Sequence, residues 1–397
     1  MLKLLVANDN GNSEQDMIIN GEVIQQPNVY AEPYQLPNLD ELNEKYIAKN
    51  ILDNLIVTIE TKQINNGAPT TYYVGTYATK TGEVLSNIMV GARNSKLNSP
   101  IPLINTLANL AGYAVKKAYE DESIEDELTV SVDMATALPV NQYSKENGAL
   151  FANRFIGQHI VTVHVATRTV RVKLNIEYVK TIPEGVTTAH FLVPGKHKEI
   201  FKEFADDYKL SLSDIDFKDK RILHIAIGEG TTEFPLTTGI GFSPHFIKGT
   251  PNGVGHAINS IITEFREKHG LTSKFSRQDF SNALKDPQNK YHDEALAIIR
   301  KPLQEQANLI FDVAQQQISR ANNDIDYICV YGGGSILMKP YLKNNLRDFA
   351  DFTNIKVIYL TEPTSVLVEA LGLYEFASDK LFKDLKKAFI EKHKTNK

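Results

Sequence analysis

The stretch HIAIGEGTTEFP, His224 to Pro235, carries residue types that hold phosphate. Ile225, Ala226 and Ile227 read as the end of an apolar strand, followed by Gly228, Glu229 and Gly230 and the hydroxyls of Thr231 and Thr232. Glycines at that spacing bring an anion close to bare backbone, and threonine hydroxyls can bond its oxygens. A second such loop, NDNGNS, lies near the N-terminus (Asn8 to Ser13). There Asp9 stands at a strand end, Gly11 permits a tight turn, and Asn12 and Ser13 offer side-chain donors. Backbone N–H groups in such turns form an anion nest, and a carboxylate at the strand end can hold a hydrated Mg²⁺. The same letters also fit a plain hairpin turn. In the third loop, the apolar run YICVY is followed by Gly332, Gly333, Gly334 and Ser335, bare backbone against which a base or ribose can lie.

Several other chemistries lack their residues. The sequence has no GxxxxGK[ST] phosphate loop, no HExxH and no GxSxG elbow. His159 and His164, five apart on a predicted strand, face opposite ways. The sole cysteine, Cys329, excludes an internal disulfide and reads as a buried thiol in a reducing compartment. A net charge of −5 gives no general pull toward nucleic acid or anionic membrane. The start MLKLLVANDNG turns polar too early for a signal peptide, and no apolar run approaches the ~20 residues of a membrane helix. A cytoplasmic location is the expectation.

The loops need rigid elements to hold them. With 397 residues, the chain suits two domains or two lobes around a cleft. The runs from Leu2 to Ala7, Leu128 to Pro139, His224 to Ile227 and Tyr327 to Tyr331 suit central strands covered on both faces. The section HIVTVHVATRTVRVKLNIEYVKTI alternates and reads as antiparallel strands. Leu103, Leu107, Leu110, Ala114 and Ala118 recur at helical spacing, and Gly255 to Gly270 reads as a capped helix. A long helical pattern follows, which Pro302 should kink or break. At the C-terminus, Leu381, Phe382, Leu385 and Phe389 form a stripe by which a lysine-covered helix can dock.

Taken in order, the two phosphate loops, the third loop and the stretch EPTSVLVEALGLYEF (Glu362 to Phe376) resemble the actin/Hsp70/sugar-kinase superfamily. NDNGNS is similar to its first phosphate motif, AIGEGTTE to its second, VYGGGS to its adenosine motif, and Pro363 to Tyr374 to its second connecting helix. The resemblance is closest to bacterial actin-like plasmid segregation proteins of the ParM type. TALPVNQYSKENGALFANRFIG, then strands, then YVKTIPEGVTTA, follow that branch's layout.

The resemblance implies an α/β, actin-like fold: two lobes, each a mixed β-sheet flanked by helices, around a nucleotide cleft. Residues 1–181 with 376–397 would form one lobe and 182–375 the other. It implies ATP and Mg²⁺, with Asp9 supporting the metal through water. Asn10, Gly11, Asn12 and Ser13 would meet the terminal phosphates, and Gly228, Glu229, Gly230, Thr231 and Thr232 would cradle them from the other side. Gly332, Gly333, Gly334 and Ser335 would lie at the nucleoside. Glu184 would orient the attacking water, or be only a turn or helix-start residue.

Two positions depart from the family pattern. A lysine often found seven residues after the first aspartate is here Asp16, so a neighbouring lysine or arginine substitutes, or Asp16 points away. Ala226 stands where the second motif normally carries an aspartate, so nucleotide binding should survive while hydrolysis falls. The implied function is an ATP-dependent, filament-forming protein that segregates or positions plasmid DNA. It would bind itself as a homopolymer and a DNA-binding adaptor on the plasmid centromere, touching DNA only indirectly and membranes not at all. The alternatives are a non-catalytic nucleotide-dependent scaffold filament and a small-molecule kinase of the same superfamily.

Overall fold

The computed structural model describes residues 1–39, 43–88 and 95–394. The last three residues of the expected first lobe lie outside that range. Two mixed β-sheets organise the described residues. The first contains β1 (Leu2–Asn10), β2 (Glu14–Ile19), β3 (Glu22–Pro27), β4 (Tyr30–Ala31), β5 (Ile56–Glu60), β6 (Thr70–Val74), β7 (Glu127–Leu138), β8 (Gly157–Val165) and β9 (Arg168–Pro183). Their spatial order is β3-β2-β1-β7-β9-β8-β5-β6-β4. The three central strands β1, β7 and β9 are parallel, and β8 and β9 form the antiparallel pair that their alternation predicts.

Central strands covered on both faces bury successive residues. Met134, Ala135, Ala137 and Leu138 of β7 are all inaccessible to solvent. The first sheet's helices are α1 (Glu44–Lys49), α2 (Thr76–Lys80), α3 (Ser95–Asn98), α4 (Ile101–Glu120) and α5 (Lys145–Phe155). Leu103, Leu107 and Leu110 of α4 close one face of the core.

The second sheet is built around β10 (Arg221–Ile227). Parallel β15 (Tyr327–Tyr331) and then β16 (Lys356–Tyr359) lie on one side of it. On the other side, β12 (Leu236–Thr238) pairs antiparallel with its first half and β11 (Thr232–Glu233) with its last two residues. β13 (Gly241–Phe242) extends from β12, and β14 (Gly249–Thr250) from β11. One face is covered by α8 (Val254–His269), α9 (Arg277–Lys285), α10 (His292–Arg320) and α11 (Gly333–Thr353). α6 (Thr187–Leu192) and α7 (Lys202–Tyr208) cover the other.

α10 runs through Pro302 without a break. Its buried row of Ala295, Ile299, Leu303, Ala307, Ile310, Ala314 and Ile318 packs into the second core on both sides of the proline. That continuous burial outweighs the single hydrogen bond a proline removes.

α12 (Thr364–Ser378) joins the two halves. Val368 belongs to the core beneath the second sheet, while Leu373, Phe376 and Ala377 pack with Ala7 and Ala135 of the first. The expected division at 375/376 therefore falls inside a continuous helix. A Cβ on Gly372 would lie 2.1 Å from the Thr187 carbonyl oxygen, so only glycine allows α12 this approach to α6. α13 (Lys380–Lys394) docks through Phe382 and Phe389 against Tyr178, and Lys386 bonds Asp133 and Glu177. Leu381 is half exposed, so the docking stripe is narrower than its spacing suggests.

Candidate functional site

Three strand ends place three loops around one cleft of about 1000 Å³, part of it open solvent. The β1–β2 turn contributes Asp9, Gly11, Asn12 and Ser13; the β10–β11 turn contributes Ala226, Gly228, Glu229, Gly230 and Thr231; the start of α11 contributes Gly332, Gly333 and Gly334. Glu184, in the turn between β9 and α6, also lines it, its N–H donating to the Leu138 carbonyl at 2.8 Å. It is thus both a turn residue and a cleft residue.

Local geometry explains the glycines. Gly228 N–H donates to the Thr231 carbonyl at 2.9 Å and closes the second loop. Gly332 has φ +94°, and a Cβ there would come within 2.4 Å of the Ile227 carbonyl oxygen. The third loop can therefore lie directly on the end of β10.

Three expected contact residues turn away from the cleft. The side-chain oxygen of fully buried Asn10 accepts from Gln15 at 3.2 Å. Thr232 is buried, its hydroxyl donating to the Asn252 carbonyl. Ser335 donates to the Gly332 carbonyl at 2.8 Å and pairs with the Ser365 hydroxyl at 3.0 Å. These side chains brace the loops, because alternation along a strand and the first turn of a helix aim them into the core.

Charged side chains supply the rest of the lining. Asp16 does not point away: it sits opposite Asp9 across β1 and β2, and accepts a 2.9 Å bond from Gln25. The cations come from other elements. Lys96 of α3 pairs with Glu184 and Lys285 of α9 pairs with Glu14 at 2.7 Å; Arg277 of α9, outside the lining, pairs with Glu229 at 2.6 Å. Glu233 and Glu369 complete the wall. Glu369 accepts from Gly185 N–H at 2.8 Å and from the Thr187 hydroxyl.

The acids are held high. Burial pushes Asp16 up to about 8, reinforced by Asp9 and Glu14. Burial, then Asp9, also pushes Glu369 up to about 8. Burial pushes Asp9 up to about 6, with Lys96 opposing and Glu184 adding. Glu233 is raised well above its usual range by burial and by Glu184. For Lys96, burial works against the ammonium, but Glu184 and Asp9 outweigh it and hold the pKa above its ordinary value.

Lys96, Lys285, Arg277 and Glu369 lie far in sequence from the loops, and nothing in their spacing marks them. Glu233 was within reach, since it closes the AIGEGTTE stretch that the sequence marks as a phosphate loop.

Mg²⁺ keeps several waters and takes few protein ligands, so a site needs outward-facing carboxylate oxygens rather than a closed cage. Among the described residues no three His, Cys, Asp or Glu side chains are grouped to ligate a metal directly. Oε2 of Glu229 is buried without a hydrogen-bond partner among the described residues, while Thr231 and the Val140 backbone reach Glu233. Asp9 and Glu229 both line the cleft, and carboxylates of that kind would suit a hydrated divalent cation carrying phosphates.

Residues 7–186 match the family model for the N-terminal domain of actin-like proteins. Among solved structures, the actin-like protein Alp7A superposes with a TM-score of 0.69 at 17% identity, over 99% of this chain and 100% of that one. The fold is actin-like. A subunit of a 15-stranded ParM filament from Clostridium botulinum gives 0.66 at 16% identity, over 95% and 99%. Bacillus thuringiensis ParM with ATP gives 0.59 at 16%, over 97% and 100%. No curated protein matches the chain in sequence. No described helix is long and apolar enough to cross a membrane.

Proposed function

We propose that this chain is an ATP-binding, filament-forming protein of the cytoplasm that segregates or positions plasmid DNA through a DNA-binding adaptor. The observation that carries the reading is the convergence of three glycine loops, from strands of two sheets, on one cleft. Solved relatives of the same fold, with ATP in one case and in a filament in another, support it. Residues 1–181 with 376–397 act as one lobe and 182–375 as the other. The β1–β2 turn and the β10–β11 turn hold the phosphates, the start of α11 holds the nucleoside, and Lys96 and Lys285 supply the positive charge missing at position 16. Asp9 would hold a hydrated Mg²⁺, whose charge would be supplied against the phosphate oxygens. Glu184 orients the attacking water.

Ala226 gives position 226 no carboxylate, so hydrolysis is slower than in a chain with aspartate there. One lost electrostatic or base contribution costs roughly 10²–10⁴ in rate. A ligand gripped from both lobes favours the closed cleft, and subunit contacts select that shape. Light scattering and pelleting should therefore rise with Mg-ATP, with phosphate release lagging well behind assembly. Scattering that stays flat at every protein concentration from about 1 to about 50 µM, a range typical of such association, would sink the reading.

A further inference from the structure

We infer that Asn28 is a positioning residue for the first phosphate loop, holding its backbone from beneath so that the Asn12 N–H faces the cleft. The inference rests on the proposed nucleotide site and deepens it. Asn28 is fully buried just beyond β3 and grips the loop at both ends. Its side-chain amide donates to the Gly11 carbonyl at 2.6 Å, and its backbone N–H donates to the Ser13 carbonyl at 2.7 Å. Gly11 and Asn12 line the cleft and Asn28 does not, so it takes the Gly11 carbonyl from the side away from the ligand. In a trans peptide the carbonyl of one residue and the N–H of the next point opposite ways. The Asn12 N–H, in the same peptide as that carbonyl, is thereby turned toward the phosphates.

The hold on Asn28 comes from α4. Asn105 Nδ2 donates to Asn28 Oδ1 at 2.8 Å, which fixes the amide with its own N–H groups toward Gly11. About one turn further along α4, Asn109 donates to Gln15 Oε1 at 2.9 Å. Gln15 Nε2 in turn donates to Asn8 at 2.8 Å and to the Thr106 hydroxyl at 3.0 Å. All of these side chains are buried, at inward positions of α4 and the β1–β2 hairpin where apolar residues would otherwise pack. Buried amides are costly unless bonded, and a bonded network admits one arrangement of the elements it joins. The hairpin is therefore registered on α4 by directed bonds as well as by packing, and one branch of those bonds ends on a carbonyl of the loop.

Orientation matters here because hydrogen bonds to a charged group contribute more than neutral ones and weaken steeply when misaligned. Without the Asn28 amide, the Gly11–Asn12 peptide is free to rotate and bring its carbonyl toward the phosphates. Glycine at position 11 offers little resistance to that rotation. The Ser13 contact is made by the Asn28 backbone and survives any side chain at position 28, so the hairpin keeps its closure in variants there.

The test compares the parent chain with Asn28→Ala and Asn28→Asp through the dissociation constant of the non-hydrolysable analogue AMPPNP with Mg²⁺. Calorimetry is run from about pH 5.5 to about pH 9, the span in which a buried carboxyl titrates. Each chain is measured below its assembly concentration and at a temperature where circular dichroism shows it folded. Asn28→Ala should bind about tenfold more weakly than the parent at every pH. Asn28→Asp keeps the acceptor for Asn105 but donates to the Gly11 carbonyl only while its carboxyl is protonated. It should match the parent at the acid end and fall behind it as pH rises, by about tenfold or more. Comparison with the parent at the same pH removes the nucleotide's own protonation from the result. An Asn28→Asp chain that binds like the parent throughout, beside a weakened Asn28→Ala, also supports the inference, because a carboxyl that stays protonated restores the donor. Unchanged binding in Asn28→Ala overturns it, and a loss in Asn28→Asp alone then reports only the added charge. Losses in both variants with no recovery at low pH overturn it as well, since Asn28 then serves the fold and not the direction of one carbonyl. A parent chain that binds no AMPPNP at any pH would instead remove the proposed function on which the inference stands.

Discussion

Asp16 sits in a cleft proposed for phosphates, where a second negative charge beside Asp9 would be unfavourable. Its environment resolves the conflict by keeping the carboxyl protonated at neutral pH, its pKa raised by burial and then by Asp9 to about 8. The consequence for stability has a definite sign. A carboxyl whose folded pKa is raised contributes stability that is complete below its unfolded value near 4 and is lost as pH rises through about 8. Asp16→Asn removes that dependence, because the amide stays neutral. Between pH 5 and 8 the nucleotide-free variant should gain on the parent by up to about 1.4 kcal/mol per pH unit. Urea unfolding across that range checks it, and parallel pH profiles would show that Asp16 is ionised throughout.

Among the elements, the β15–α11 turn separates two kinds of glycine. Gly332 is fixed by its backbone: φ is +94°, and a Cβ would meet the Ile227 carbonyl at 2.4 Å. Gly333 has φ in the ordinary range and no atom within 4 Å of a built Cβ, yet it lines the cleft. Gly332→Val should therefore lower the melting temperature, with a strain cost of about 1–3 kcal/mol before the clash is added. Gly333→Val should melt like the parent and bind ATP more weakly, because its side chain fills space the nucleoside needs. Thermal unfolding and calorimetry on both variants give the comparison. Equal effects on both readouts would contradict this division.

At the scale of the whole molecule, α9 ties the two sides of the cleft. Arg277 donates to Glu229 at 2.6 Å and to the Ile88 carbonyl at 3.1 Å, and Lys285 reaches Glu14. The Arg277–Glu229 pair is largely buried, with side chains 13% and 7% exposed. Removing one partner from such a pair leaves the other charge unpaired, typically costing about 3–5 kcal/mol. Arg277→Ala should lower stability on that scale and weaken ATP binding. Arg277→Ala/Glu229→Gln should recover most of the stability, since no lone charge remains. A double variant as unstable as the single one would place the loss in the Ile88 contact instead.

What the sequence determined by itself is local. A strand end followed by glycine makes a tight turn wherever it occurs, so the β1–β2, β10–β11 and β15–α11 turns, and the buried strands leading into them, were legible from residue types and period alone. So was the absence of a carboxylate at position 226. Tertiary structure decided everything that depends on which face meets which. Packing of the strand and helix interiors turned Asn10, Thr232 and Ser335 inward, and a continuous buried row carried α10 past Pro302. The charges of the cleft came together from α3, α9, α12 and the loops, across sequence distances that no spacing rule spans. Glu233 lies between the two cases. It ends the AIGEGTTE stretch that residue types mark, but its place beside Ala226 is a matter of strand register, which long-range pairing and core burial set together.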